Sequence, residues 1–229
     1  MALVAFLDIL GTKEQILADE FLPDAGSLDF ANAVGLTAYL APKLHFAVFS
    51  DSVIVSSEEN DAEVFVKALG HIYANWYGDL ILVRGGIAAG EIDWVEDIRN
   101  DPFFRKLRNF MYARVYGRAV VEAHQLEQRS GPGAVCFLSE KASKALSNVH
   151  QNAVLEGPVD CLAWATERIA RTVRDYMELG ASREIKETER RRHLLATKHY
   201  WDRIVREQKF LPDHFQLPPD RPAAVPRKE

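Results

Sequence analysis

The stretch Leu3-Val4-Ala5-Phe6-Leu7-Asp8-Ile9-Leu10-Gly11-Thr12 decides how the rest of the chain is read. Leu3 to Leu7 are apolar, with β-branched and aromatic members, which is the pattern of a buried strand. Asp8 falls where that strand ends. Gly11 then lets the backbone fold tightly before a helical pattern begins. An acid at the rim of a sheet, beside exposed backbone N–H groups, suits a metal ion and phosphates. It can equally serve as the cap of the following helix. A second strand-borne acid, in Phe49-Ser50-Asp51-Ser52, tips the choice toward the first reading.

The 229 residues suffice for one large domain, or for one domain with a helical appendage. Hydrophobic residues at 48% and charged residues at 27% give the ordinary mix of a globular protein. A net charge of −5 argues against a general nucleic-acid surface, which needs a basic stripe. Small anionic ligands stay open, because a metal ion neutralises them locally. Cys136 and Cys161 fit no metal-ligand spacing and read as small core residues of a reduced protein. With no basic n-region and no apolar run of membrane length, the expected location is the cytoplasm.

Helical patterns are expected over about 12–21 and 27–41, the second stopped by Pro42. Leu44 to Phe49 and Ser52 to Val55 read as two strands, with Ser50-Asp51 as the hairpin link although neither is glycine. An amphipathic helix follows over 61–77, with Asp61 as its cap and Gly78 as its stop. In the strand 80–92, Arg84 interrupts an apolar run and Gly85-Gly86 exposes the backbone; the spacing is not that of a Walker loop. A helix is expected from Gly117 to Glu127, then a strand at 134–138 and a short helix from Ser139. From Thr166 the pattern is helical. Arg190-Arg191-Arg192 lies among Glu184, Glu187 and Glu189, so it reads as a salt-bridged helix face. The tail from Pro212, with five prolines, is expected to be extended or disordered.

The order βα, ββ, αβ with acids at two strand ends fits an α+β fold, a ferredoxin-like βαββαβ palm with additional C-terminal helices. The expected divisions are a catalytic palm at 1–165, a helical extension at 166–211 and a flexible tail at 212–229. Phe6-Leu7-Asp8-Ile9-Leu10-Gly11, Phe49-Ser50-Asp51-Ser52 and Val83-Arg84-Gly85-Gly86-Ile87-Ala88-Ala89-Gly90 together resemble the catalytic domain of class III nucleotidyl cyclases, over residues 3–165. That resemblance implies two Mg²⁺ or Mn²⁺ ions on Asp8, Asp51 and the carbonyl of Ile9. It also implies backbone N–H groups of Leu10, Gly11, Thr12 and Lys13 facing phosphates, and Arg84 as a pyrophosphate ligand. The other reading of Arg84 is a salt bridge at the strand edge.

Adenylyl and guanylyl cyclases carry an asparagine and an arginine four residues apart on the helix after the glycine. Those positions here are Val121 and Gln125, and the family's lysine near 153–164 is missing. Arg118 is the expected substitute. The purine-selecting pair is replaced by Ala47 and Arg114. This combination, with Gly117, Glu122, Ala123, Leu126 and Glu127, resembles the pyrimidine cyclases of bacterial Pycsar anti-phage systems. The resemblance implies cyclic UMP or cyclic CMP synthesis, UTP being favoured, and a separate effector protein that reads the product. It further implies a head-to-tail homodimer with composite sites, Arg114 and Arg118 facing the partner's metals, and base contacts from Arg114, Phe49 and Ser50. Two other readings stand beside it: a palm nucleotidyltransferase of GGDEF or polymerase type, whose hairpin motif is missing here, and a non-catalytic cyclase-like signalling module.

Overall fold

The structure, a computed structural model, describes residues 1–11, 23–58, 60–79, 81–95, 114–182 and 188–217. The helix expected at 12–21 lies outside the described residues. The elements run β1 (Ala2–Ile9), α1 (Pro23–Leu40), β2 (His45–Phe49), β3 (Ser52–Ser56), α2 (Ala62–Gly78) and β4 (Val83–Gly90). They continue with β5 (Asp93–Val95), β6 (Arg114–Tyr116), α3 (Arg118–Arg129), β7 (Cys136–Leu138) and α4 (Glu140–Val149). The chain then forms β8 (Val154–Leu155), β9 (Cys161–Leu162), α5 (Glu167–Ser182), α6 (Thr188–Arg206) and a 3₁₀ turn, Asp213–Phe215.

One seven-stranded sheet has the order β2-β3-β1-β4-β7-β9-β8. β1 lies antiparallel between β3 and β4, and β2 pairs antiparallel with β3. This is the ferredoxin-like palm expected from the sequence, extended on one side by β7, β9 and β8. Strand alternation divides β1 between two cores. Leu3, Ala5 and Leu7 face α1 and α2, packing with Phe30, Val34, Phe65, Leu69 and Trp76. Val4 turns to the other face, where Ile54, Ala88, Ala119 and Ala123 form a smaller core beneath α3, with Phe6 packed against it.

The glycine pair of β4 explains how α3 lies so close. A Cβ on Gly86 would overlap the carbonyl oxygen of Ala123, and one on Gly85 would meet Leu7, the Phe6 carbonyl and Cys136. Gly90 sits against Ala119, so α3 runs antiparallel to β4 along the strand. Gly86→Ala is expected to push α3 off the sheet and cost about 3 kcal/mol, the upper end of overpacking penalties, as read by urea unfolding.

The C-terminal helices are part of the same core as the palm. Trp201 and Ile204 of α6 and Ala170 of α5 are buried with Tyr77 and Trp164. The indoles of Trp164 and Trp201 meet edge to face at 5.3 Å, and Trp201 meets Tyr77 the same way at 5.6 Å. The segment expected to be extended or disordered from Pro212 instead forms the 3₁₀ turn, with Phe215 buried because its ring finds an apolar seat in the core. Residues 218–229 lie outside the described residues. The expected cap of α2 also differs: the Asp61 side chain makes no capping bond and accepts from Lys43 Nζ at 3.3 Å. Cys136 is buried, Cys161 half-buried, and both are free thiols. Among the described residues no helix is long and apolar enough to cross a membrane.

Candidate active site

The register of β1 builds the rim. Asp8 pairs with Ser52 of β3 on one side and with Arg84 of β4 on the other. One residue on, the Ile9 N–H donates to the Asp51 carbonyl at 3.1 Å, which ties the β2–β3 turn to the end of β1. That turn has the two residues expected, Ser50 and Asp51, and Ser50 takes the positive φ of 55° that a glycine would otherwise supply. Asp8, Ile9 and Asp51 are thus neighbours, although 42 residues separate Ile9 from Asp51 in sequence.

Ser52 Oγ donates to Asp8 Oδ1 at 2.5 Å and holds that carboxylate. Burial nonetheless raises the Asp8 carboxyl above its ordinary 3.8; the Ser52 hydrogen bond opposes the rise, while the charges of Asp51 and Glu127 add to it. An acid under this pressure is one that a cation would relieve. The oxygens present fit a hard divalent ion: two carboxylates and a backbone carbonyl. Among the described residues no group of three or more His, Cys, Asp or Glu is placed to hold a metal. Two carboxylates and a carbonyl are the donors that suit Mg²⁺ or Mn²⁺ shared with substrate phosphates, the usual arrangement for ions bound through one or two carboxylates.

The raised Asp8 has a consequence for stability. The folded state holds this proton more tightly than the unfolded chain does, so stability falls as pH rises through the interval just above 3.8. Asp8→Asn removes the penalty and keeps an oxygen for Ser52. In EDTA at pH 7 its melting temperature is expected to exceed that of the unaltered chain, and the difference is expected to close near pH 4. Thermal unfolding at the two pH values checks this.

Arg84 is engaged. Its Nε and Nη2 donate to Oε1 of Glu127 at 2.8 and 2.5 Å, and Nη1 donates to the Gly131 carbonyl at 3.4 Å. The edge salt bridge considered for Arg84 therefore exists, with a partner on the last turn of α3 that is 4% exposed. Asp8, Arg84 and Glu127 meet at one rim. Sequence reasoning noted Glu127 only as part of a family pattern; its pairing joins residues 43 apart and has no local signal.

The other expected site residues divide. The Leu10 N–H donates to the Leu82 carbonyl at 2.8 Å, so strand pairing takes this amide from the phosphate-facing set. Gly11 is exposed with φ of 86°. Thr12 and Lys13 lie outside the described residues. Phe49 is exposed beside Phe6, their rings 6.3 Å apart. Arg114 opens β6, paired with Val95; its side chain is outside the described set. Arg118 is exposed at the start of α3, which lies over the Gly90 end of β4. It stands the length of α3, about 16 Å, from the end that carries Glu127. Arg118 and Asp8 therefore sit at opposite ends of the same palm.

A palm of this topology is the fold of class III nucleotide cyclase catalytic domains. No family model matches the sequence, and no curated protein matches it. Solved structures do. A monomeric double mutant of the guanylyl cyclase domain of the RhoGC fusion protein from the aquatic fungus Blastocladiella emersonii is similar with a TM-score of 0.50 and 11% identity, over 71% of this chain and 94% of that one. The adenylyl cyclase CyaB from P. aeruginosa gives 0.45 and 16%, over 72% and 95%. The adenylate cyclases of Trypanosoma brucei in their monomeric state give 0.45 and 14%, over 70% and 86%. The first of these carries the fold assignment.

Proposed function

We propose that the chain is a nucleotide cyclase that converts a pyrimidine nucleoside triphosphate, UTP in preference to CTP, into its 3′,5′-cyclic monophosphate and pyrophosphate. The observation that carries the cyclase reading is the register that sets Asp8 and Asp51 at one rim beside Ile9. Two Mg²⁺ or Mn²⁺ ions, held by Asp8, Asp51 and the Ile9 carbonyl, would supply charge neutralisation and a lower pKa at the ribose 3′-hydroxyl. Ser52 keeps Asp8 oriented, and the Asp51 carbonyl is tied to Ile9, so both ligands are positioned before substrate arrives. Arg84 brings a guanidinium to the same rim. Glu127 and Gly131 take three of its five N–H donors among the described contacts, so a pyrophosphate oxygen would take another while both contacts hold the fork in place. Gly11, exposed past the strand end, offers backbone to the phosphates.

The pyrimidine preference draws on Ala47, which offers a purine no polar side chain, and on the resemblance of the Gly117–Glu127 segment to the Pycsar cyclases. In the same reading the product is a second messenger in bacterial anti-phage defence, read by a separate effector protein. Arg114, with Phe49 and Ser50, is the proposed reader of the base, donating to O2 or O4 of uracil. A mismatched buried polar edge costs about 1–3 kcal/mol, so Arg114→Ala is expected to narrow the preference for UTP by roughly tenfold or more. Competition between the four nucleotides checks this; an unchanged profile removes Arg114 as the reader.

Purified protein incubated with each NTP and Mn²⁺, with products identified by mass spectrometry, tests the whole reading. Cyclic UMP is the expected product. A linear dinucleotide places the chain among palm nucleotidyltransferases. The engagement of Arg84 by buried Glu127 favours one second reading, a non-catalytic module that binds a nucleotide and signals by conformation. Nucleotide binding without metal-dependent turnover is its result.

A further inference from the structure

Helix α6 meets the candidate site at the turn Gly131-Pro132-Gly133-Ala134, which leads from α3 to β7. Both amides in the second half of that turn donate to α6. The Gly133 N–H donates to His193 Nδ1 at 3.0 Å and the Ala134 N–H to Thr197 Oγ1 at 2.8 Å. Thr197 is fully buried, and its hydroxyl donates in turn to the His193 carbonyl at 2.8 Å, so its orientation is fixed. Gly133 holds a φ of 106°, and a Cβ there would press on Ala196 and Thr197. The Ala134 carbonyl accepts from Tyr77 of α2 at 2.9 Å, and Tyr77 accepts from Trp201 of α6 at 3.3 Å.

The same turn frames Arg84. The Gly131 carbonyl accepts from its guanidinium, and the Val135 carbonyl, just past the turn, accepts from the N–H of Gly85 at 3.0 Å. Glu127, which holds the rest of the guanidinium, sits four residues before Gly131. Every described partner of the Arg84 side chain is therefore on the last turn of α3 or in the turn that α6 pins.

We propose that α6 is a working part of the site: His193 and Thr197 are positioning residues that fix the turn 131–134, and through it the reach of Arg84 toward the phosphates of the substrate. This rests on the cyclase reading above. Arginine forks recognise phosphate by geometry as well as charge, and displacement of a positioned group by about 1 Å can cost up to a hundredfold. The tie acts on phosphate binding, not on the metal ligands, because Asp8 and Asp51 are held by Ser52 and by the β1 register instead.

The test is a double-mutant cycle on the full chain, read by calorimetry with inorganic pyrophosphate and Mn²⁺ and by steady-state kinetics with the nucleotide that the chain turns over. Thr197→Val keeps the shape and removes the acceptor; it is expected to weaken pyrophosphate binding and raise KM by about tenfold, with a smaller change in kcat. Thr197→Ser is expected to return both to within about twofold of the unaltered chain, since it restores the acceptor. In an Arg84→Lys background, which keeps the charge but loses the fork, Thr197→Val is expected to change affinity by less than about twofold. His193→Leu, half-exposed in α6, carries the same cycle should Thr197→Val fail to fold. Equal weakening in both backgrounds shows a general loss of structure and overturns the inference, as does no weakening in the first. A chain that binds no pyrophosphate and cyclises no nucleotide overturns the cyclase reading and this inference with it; a chain that does both while the cycle shows no coupling overturns the inference alone.

Discussion

Alanine in place of Asp8 or Asp51 is expected to take turnover down by about a thousandfold or more, the several kcal/mol that metal-held charge stabilisation supplies. The fold is expected to survive. Asp8 is half-buried, and among the described residues its side chain accepts one hydrogen bond, from Ser52 Oγ. Burial already disfavours its ionised form, so removing the carboxylate costs the metal-free protein little. Asp51 lies in a turn whose register depends on its backbone carbonyl, which alanine keeps. Product formation with Mn²⁺, beside far-ultraviolet circular dichroism of each variant, checks the pair. Near-normal activity in both would end the two-metal proposal.

The second large effect is a gain. Asp51→Ala and Arg118→Ala, each expected to be inactive alone, are expected to recover roughly a quarter of normal activity when mixed. Arg118 stands at the Gly90 end of β4 and Asp8 at the Arg84 end, with the length of α3 between them. One palm cannot bring both to one phosphate group. The proposed two-fold pair of palms, head to tail, would set the Arg118 end of one against the acidic rim of the other and give two equivalent sites. Random exchange makes about half the dimers mixed, each with one site intact and one carrying both lesions, hence the quarter. No recovery, with subunit exchange demonstrated and Arg118→Ala inactive, places the site within one chain.

The acids of the rim were legible in the sequence because strands have a strict period. An apolar run that ends on Asp8, and two short runs flanking Ser50-Asp51, leave little choice about where those carboxylates emerge. Arg84 was legible as an anomaly and no more. A cation in an apolar strand signals either a ligand or a partner, and the partner, Glu127, comes from a helix docked by tertiary packing. The glycine pair marked close backbone approach correctly, yet only the packing of Ala123 against Gly86 says what approaches. For α6, the apolar set Leu194, Leu195, Trp201, Ile204 and Val205 tells of a buried face without telling what covers it, and Leu195 lies exposed outside that face. The reading of the tail failed at Phe215, where proline content spoke for extension and one ring buried in the core outweighed it.

The rings around Trp201 make the docking of α6 optically visible. Two indoles held edge to face at 5.3 Å, with the phenol of Tyr77 edge-on to one of them, sit in a fixed asymmetric field and absorb circularly polarised light unequally in the near ultraviolet. Helix content is read in the far ultraviolet instead. Were α6 to leave the palm and stay helical, the first signal would collapse while the second held, as happens when tertiary packing is lost and secondary structure is kept. The protein thus carries its own dichroic gauge of whether its last helix is seated.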